Sequence, residues 1–212
     1  MALERAHFPD SVHARRVDPR FTTSATALVL LAVWTLLLLS LPYSATLALT
    51  LKVAVWGLPA LLVPRLVDHV NPGEFLSVDR VPAVGLAAVA SALLFAYFLL
   101  VGGGMPARAI SAFYLVSAVL VSPIVEEMAF RGLVLGKLAQ VTSFGIANTA
   151  TALLFALYHL PLWIARGASV SVPACLWVVF FSLAMGLLLR WSKSLWTCVV
   201  VHAVQNLLFG IL

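Results

Sequence analysis

The feature that most constrains this chain is a succession of apolar runs, each close to the length that crosses a lipid bilayer, some of them carrying ionisable residues. A spanning helix needs roughly 20 apolar residues, and a lipid-exposed span must satisfy every backbone group internally. The runs are Ala25 to Leu41, Ala45 to Val63 (with Lys52 inside it), Val81 to Val101, Ile110 to Gln140, Phe144 to Leu160, Val172 to Leu189 and Leu195 to Leu212. Pro42-Tyr43-Ser44, Gly102-Gly103-Gly104 and Pro161 punctuate them as breakers. The polar stretch Arg65–Arg80 carries a turn signal at Asn71-Pro72-Gly73. The expectation is an all-α fold: a polytopic transmembrane helix bundle of about seven spans. Its organisation is a polar arm over 1–24, membrane helices and a polar loop over 25–80, and a second membrane block over 81–212.

Composition agrees. The chain is 63% hydrophobic and 10% charged, against about 45–50% and about 25% in soluble domains. Mean hydropathy is +1.07. The net charge of +5 reads as orientation, not as nucleic-acid binding. With the N-terminus inside, Arg5, Arg15, Arg16, Arg20, Arg65, Arg80, Lys137, Arg190 and Lys193 fall on the cytoplasmic side, against Arg108 and Arg166 opposite. That asymmetry predicts an N-inside topology. Met1–Arg20 lacks the pattern of a cleaved signal peptide and reads as a short cytoplasmic arm. Cys175 and Cys198 lie within apolar runs and read as packed thiols.

Ionisable groups at membrane depth cost about 2.5–3.5 kcal/mol each on insertion scales. Glu126, Glu127, Arg131, His159 and His202 sit in or near the spans. Five such residues on three segments point to a shared polar site; the alternative is a buried charge network that fixes helix register. On an α-helix Glu127 and Arg131 lie about 40° apart and pair, whereas Glu126 and Arg131 diverge by about 140°. Glu126 is thereby left to face a cavity as a general base. His202 and Asn206, four apart, share a helix face and are candidate donors to an oxyanion.

Other residues carry less. His7, His13 and His69 lie in polar segments. Lys52 reads as snorkelling or paired. The six tryptophans suit interfacial belts or packing. Gly132 and Gly136 form a small-xxx-small pair that permits close helix approach. Ser122 has no His-Asp company, and no His-Glu-x-x-His pair is present. The long fourth run, roughly 45 Å as an α-helix, is expected to tilt, kink near Pro123 or protrude.

The motifs Glu126-Glu127-x-x-x-Arg131, Phe155-x-x-x-His159 and His202-x-x-x-Asn206, with Pro123-Ile-Val-Glu-Glu-Met-Ala-Phe-Arg-Gly132 around the first and Ser-Leu-Trp before the last, together resemble the CPBP family. These are the CaaX-protease and bacteriocin-processing (Abi-type) intramembrane endopeptidases. The resemblance covers residues 81–212, which it marks as the catalytic membrane domain. It implies that Glu126 and His159 activate a water, that His202 and Asn206 hold the oxyanion, and that Glu127 and Arg131 support the site. It implies no cofactor, with a divalent metal such as zinc on Glu126, His159 and His202 as the alternative. It implies a membrane-associated peptide or protein as substrate, the lipid bilayer as partner and no nucleic acid. The short form resembles prokaryotic members of inner or plasma membranes, whose tasks include peptide processing, bacteriocin immunity and removal of C-terminal sorting tails. Some family members act instead as non-proteolytic scaffolds.

Overall fold

In the computed structural model, residues 19–67, 81–102 and 109–211 are described, and among them every regular element is helical. The helices are α1 (Pro19–Ser40), α2 (Ala45–Lys52), α3 (Leu58–Val67), α4 (Val81–Gly102), α5 (Ala112–Tyr114), α6 (Ser122–Glu127), α7 (Gly136–Val141), α8 (Phe144–Ala165), α9 (Val172–Ser192) and α10 (Leu195–Ile211). π-helical turns join α2 to α3 (Val53–Gly57), α5 to α6 (Leu115–Val121) and α6 to α7 (Met128–Leu135), so each of these groups is one continuous rod. Five helices among the described residues are long and apolar enough to cross a membrane: Ala45–Val63, Ala83–Leu100, Ala112–Val141, Phe144–Ala165 and Val172–Ser192. Ala25–Ser40 and Leu195–Ile211 are shorter apolar helices. The Asn71-Pro72-Gly73 turn, His7, His13, His69 and most of the N-terminal arm lie outside the described residues, though α1 already begins at Pro19.

The boundaries follow from local chemistry. Ser44, Ser111, Ser143 and Ser171 each accept a hydrogen bond from the backbone N–H three residues on, which satisfies one of the orphan donors of a helix start. Lys193 adopts a left-handed conformation (φ 54°) and closes α9, so that α10 starts within two residues. Large apolar side chains such as Leu28, Leu36, Leu93, Leu100, Leu176 and Phe180 point outward. That is expected of helices whose outer solvent is lipid.

Two expectations are corrected, those for Pro161 and for the Gly132/Gly136 pair. Pro161 does not end its helix; α8 runs through it to Ala165. Pro161 removes only the N–H that would have bonded the Leu157 carbonyl, one lost bond within a 22-residue helix. The long rod Ala112–Val141 contains two π-helical stretches, one on either side of Ser122–Glu127. Gly132 and Gly136 are not the close-approach glycines, since a Cβ there would meet nothing beyond the rod's own backbone. The tight positions are Gly186, against which Asn148 of α8 lies, and Gly210, against Tyr114.

The core joins the N-terminal helices to the rest. Trp34 stacks on Tyr158 at 5.0 Å between ring centroids, and Trp56 on Phe130 at 4.8 Å. Both tryptophans are buried, so these two pack the interior instead of forming an interfacial belt. α1 packs along α8, α8 along α9, and α10 against α4, α9 and the Ala112–Glu127 part of the long rod.

Candidate active site

Glu126 and Glu127 end α6 at the middle of the long rod, and both are buried. Glu127 turns into the bundle. Its Oε2 lies 3.2 Å from Arg131 Nε, an ion pair without hydrogen-bond alignment, and its Oε1 accepts from His202 Nδ1 at 2.7 Å. Arg131 donates through Nη2 to the carbonyl and hydroxyl of Ser182 at 3.2 and 3.0 Å, and its guanidinium lies 4.8 Å from the Phe155 ring.

Glu126 is not without a partner. Lys52 Nζ lies 2.5 Å from its Oε1 and 2.8 Å from Ser122 Oγ, and the Tyr158 hydroxyl donates to the same Oε1 at 3.1 Å. Among the described residues Oε2 has no such donor; His202 Nε2 stands 3.7 Å away, beyond a hydrogen bond. With Lys52 and Arg131 cationic and both glutamates ionised, these four charges cancel. That is the condition under which ions persist in a low-dielectric interior.

The histidines are fixed by their other nitrogen. His159 Nδ1 meets the carbonyl of Phe155 at 2.8 Å, and a carbonyl only accepts, so Nδ1 carries a proton and in the neutral ring Nε2 is the acceptor. His202 Nδ1 faces a carboxylate, which leaves its Nε2 on the Glu126 side. Asn206 Nδ2 donates to the carbonyl of Ala118 at 2.8 Å. The cause is local. In the π-helical register Ser122 N–H bonds the carbonyl five residues back, at Ser117. The next donor in that register would be residue 123, a proline without an N–H. The orphaned Ala118 carbonyl is satisfied by Asn206 instead.

Glu126, His159, His202 and Asn206 all line one cavity of about 1140 Å³, together with Lys52 and Ser122. Its walls are largely apolar, with Phe98, Trp163, Trp177, Phe180 and Phe209 among them. Sequence reasoning missed Lys52, Ser122 and Tyr158 as members of this site. The available signal was the cost of a lysine in an apolar run, which demands a partner. Glu126, His159 and His202 do not fit a zinc centre as arranged. Among the described residues no three His, Cys, Asp or Glu side chains are grouped to share a metal ion, and the Lys52 ammonium on Glu126 opposes a second cation there.

An all-helical chain with apolar spans and a set of charged residues converging on a cavity inside them is an integral membrane protein built around a polar site. Residues 107–208 match the family described as type II CAAX prenyl endopeptidase Rce1-like, of the CPBP membrane proteases, so that this segment is similar to that family. The matched segment contains Glu126, Glu127, Arg131, Tyr158, His159, His202 and Asn206, whereas Trp34 and Lys52 lie outside it. No curated protein and no solved structure matches the chain.

Proposed function

We propose that this protein is an intramembrane endopeptidase in which Glu126 is the general base that activates water against a peptide bond. The observation that carries this reading is the asymmetry of the Glu126 carboxylate: Oε1 is held by Lys52 and Tyr158, while Oε2 has no hydrogen-bond donor among the described residues, in a residue that lines the cavity with His159. A water within about 2.6–3.2 Å of Oε2 gives its proton to Glu126, with the bare Nε2 of His159 as a second acceptor that orients it. The hydroxide adds to the scissile carbonyl carbon. His202 Nε2–H and the second amide N–H of Asn206 are the donors to the resulting oxyanion. In this role Nδ1–H donates to Glu127 and Nε2–H to the oxyanion. Collapse of the tetrahedral intermediate breaks the C–N bond, and the proton held by Glu126 passes to the leaving amine. Glu127 and Arg131 fix His202 and the rod.

The substrate in this proposal is a membrane-associated peptide or protein segment with apolar flanks. The cavity is lined from the start of α2 (Ala45), the end of α4 (Phe98), the start of the long rod (Phe113), the end of α8 (Arg166), the start of α9 (Pro173) and the end of α10 (Phe209). These ends gather on one face of the bundle. Under the N-inside topology expected from the Lys/Arg bias, that face is extracytoplasmic. This favours tails of exported or surface proteins over cytoplasmic prenylated ends.

A second reading, a non-proteolytic scaffold or immunity protein, is favoured by one observation: Glu126, Glu127, Arg131 and Asn206 all have protein partners, as a register-fixing network requires. Glu126→Gln separates the two. Gln keeps an acceptor for Lys52 and Tyr158 but cannot take a proton. In purified protein assayed on co-purified or neighbour-encoded peptides, cleavage is expected to fall by about 10²–10⁴-fold with the fold retained, and to be insensitive to chelators. Full activity in a folded Glu126→Gln variant would sink the protease reading.

A further inference from the structure

We infer that Lys52 is a positioning residue of the proposed hydrolysis, acting through Glu126 to fix which carboxylate oxygen meets the water, so that the N-terminal helices complete the active site. The inference rests on Glu126 being the base.

Lys52 is the last residue of α2, directly before the π-helical turn Val53–Gly57, and it is buried in the run Ala45–Val63. A lysine in an apolar span ordinarily extends to the interface. This one reaches inward instead, to Ser122 and Glu126, 70 and 74 residues along the chain. It also lies 5.8 Å from the centroid of the Tyr158 ring. Both donors on Glu126, Lys52 and Tyr158, converge on the same oxygen, Oε1. A terminal carboxylate torsion is soft and roughly two-fold, so one oxygen held twice settles the orientation of the other. Without Lys52 the carboxylate has an alternative partner close by. His202 Nε2 is 3.7 Å from Oε2, and a small rotation closes that gap to a hydrogen-bonded ion pair. Such a pair would consume the acceptor meant for water and the donor meant for the oxyanion together. Lys52 thus keeps Glu126 and His202 apart as separate groups. Its supply from outside residues 107–208 means that the family-matched segment does not carry the whole site.

The test compares Lys52→Ala, Lys52→Arg and the unaltered protein, purified in full length, on the same peptide, with thermal unfolding measured in parallel. A re-aimed base is expected to lower kcat by about tenfold to a hundredfold while KM stays close to that of the unaltered protein, because peptide binding is not what is lost. Ethylamine added to Lys52→Ala is expected to restore kcat saturably: Lys52 lines the cavity, so a small ammonium can reach its place. Lys52→Arg, which keeps the cation, is expected to fall between. Two results would overturn the inference: a stable Lys52→Ala with unaltered kcat, or ethylamine that recovers thermal stability without recovering kcat. Failure of the underlying reading looks different. Glu126→Gln would then cleave normally, whereas an inactive Glu126→Gln beside a fully active Lys52→Ala rejects the role of Lys52 alone.

Discussion

The strongest energetic consequence of the structure concerns Glu127 and Arg131, which are 0% and 1% exposed. Consider Glu127→Leu, Arg131→Met and the double variant. Glu127→Leu leaves the guanidinium with only Ser182 and the Phe155 ring. Stranding one member of a buried pair costs about 3–5 kcal/mol. It also removes the acceptor of His202 Nδ1, a hydrogen bond to a charged group worth about 1.5–3 kcal/mol. Arg131→Met strands the Glu127 carboxylate, but His202 continues to donate to it at 2.7 Å, so the arginine variant is expected to be the milder. In the double variant no buried charge of this pair is left uncompensated, and apolar replacement of a buried pair is often near neutral. What remains is the unpartnered His202, about 1.5–3 kcal/mol. The double variant should therefore be more stable than Glu127→Leu alone, with a coupling of at least about 2 kcal/mol between the positions. The assay is reversible unfolding in mixed detergent micelles, followed by helical circular dichroism. Effects that add to within about 0.5 kcal/mol would show that the two side chains do not rely on each other, and would refute the pairing.

Asn206→Ala is expected to lower kcat by about 10²–10³-fold if its second amide proton serves the oxyanion, and also to cost about 1–3 kcal/mol for the unsatisfied Ala118 carbonyl; paired kinetic and unfolding measurements separate the two, and a loss of stability alone leaves Asn206 structural. Gly186→Ala drives a methyl into the buried Asn148 amide and is expected to destabilise by about 1–3 kcal/mol, whereas Gly132→Ala, with nothing but its own rod nearby, should be neutral within about 0.5 kcal/mol; melting midpoints that rank them the other way would contradict this packing. Reporter fusions after Gly167 and Leu212 should both signal the extracytoplasmic side, as the Lys/Arg bias requires, and a cytoplasmic signal at Leu212 would reject the seven-span alternation.

The sequence by itself determined the class of structure. Apolar runs of bilayer length, broken at Pro42–Ser44 and capped by Ser44, Ser143 and Ser171, specify membrane helices because hydropathy, breakers and caps act locally. The spacing of Glu127 and Arg131 gave their pairing, since a four-residue separation fixes two side chains on one helix face. Tertiary structure decided what depends on distant partners. Periodicity leaves Glu126 unpartnered, yet Lys52 from another span meets it. Asn206 looked like a free donor, but the missing N–H of Pro123 gave it a carbonyl to satisfy. Pro161 looked like a stop, but the helix continues through it to Ala165, packed along α1 and α9. Gly132 and Gly136 had the spacing for close packing, and Gly186 had the neighbour. For Glu126, Asn206 and the glycines the outcome was set by an unsatisfied charge, carbonyl or space on one helix and a group on another, and spacing along one segment does not encode which segment lies alongside.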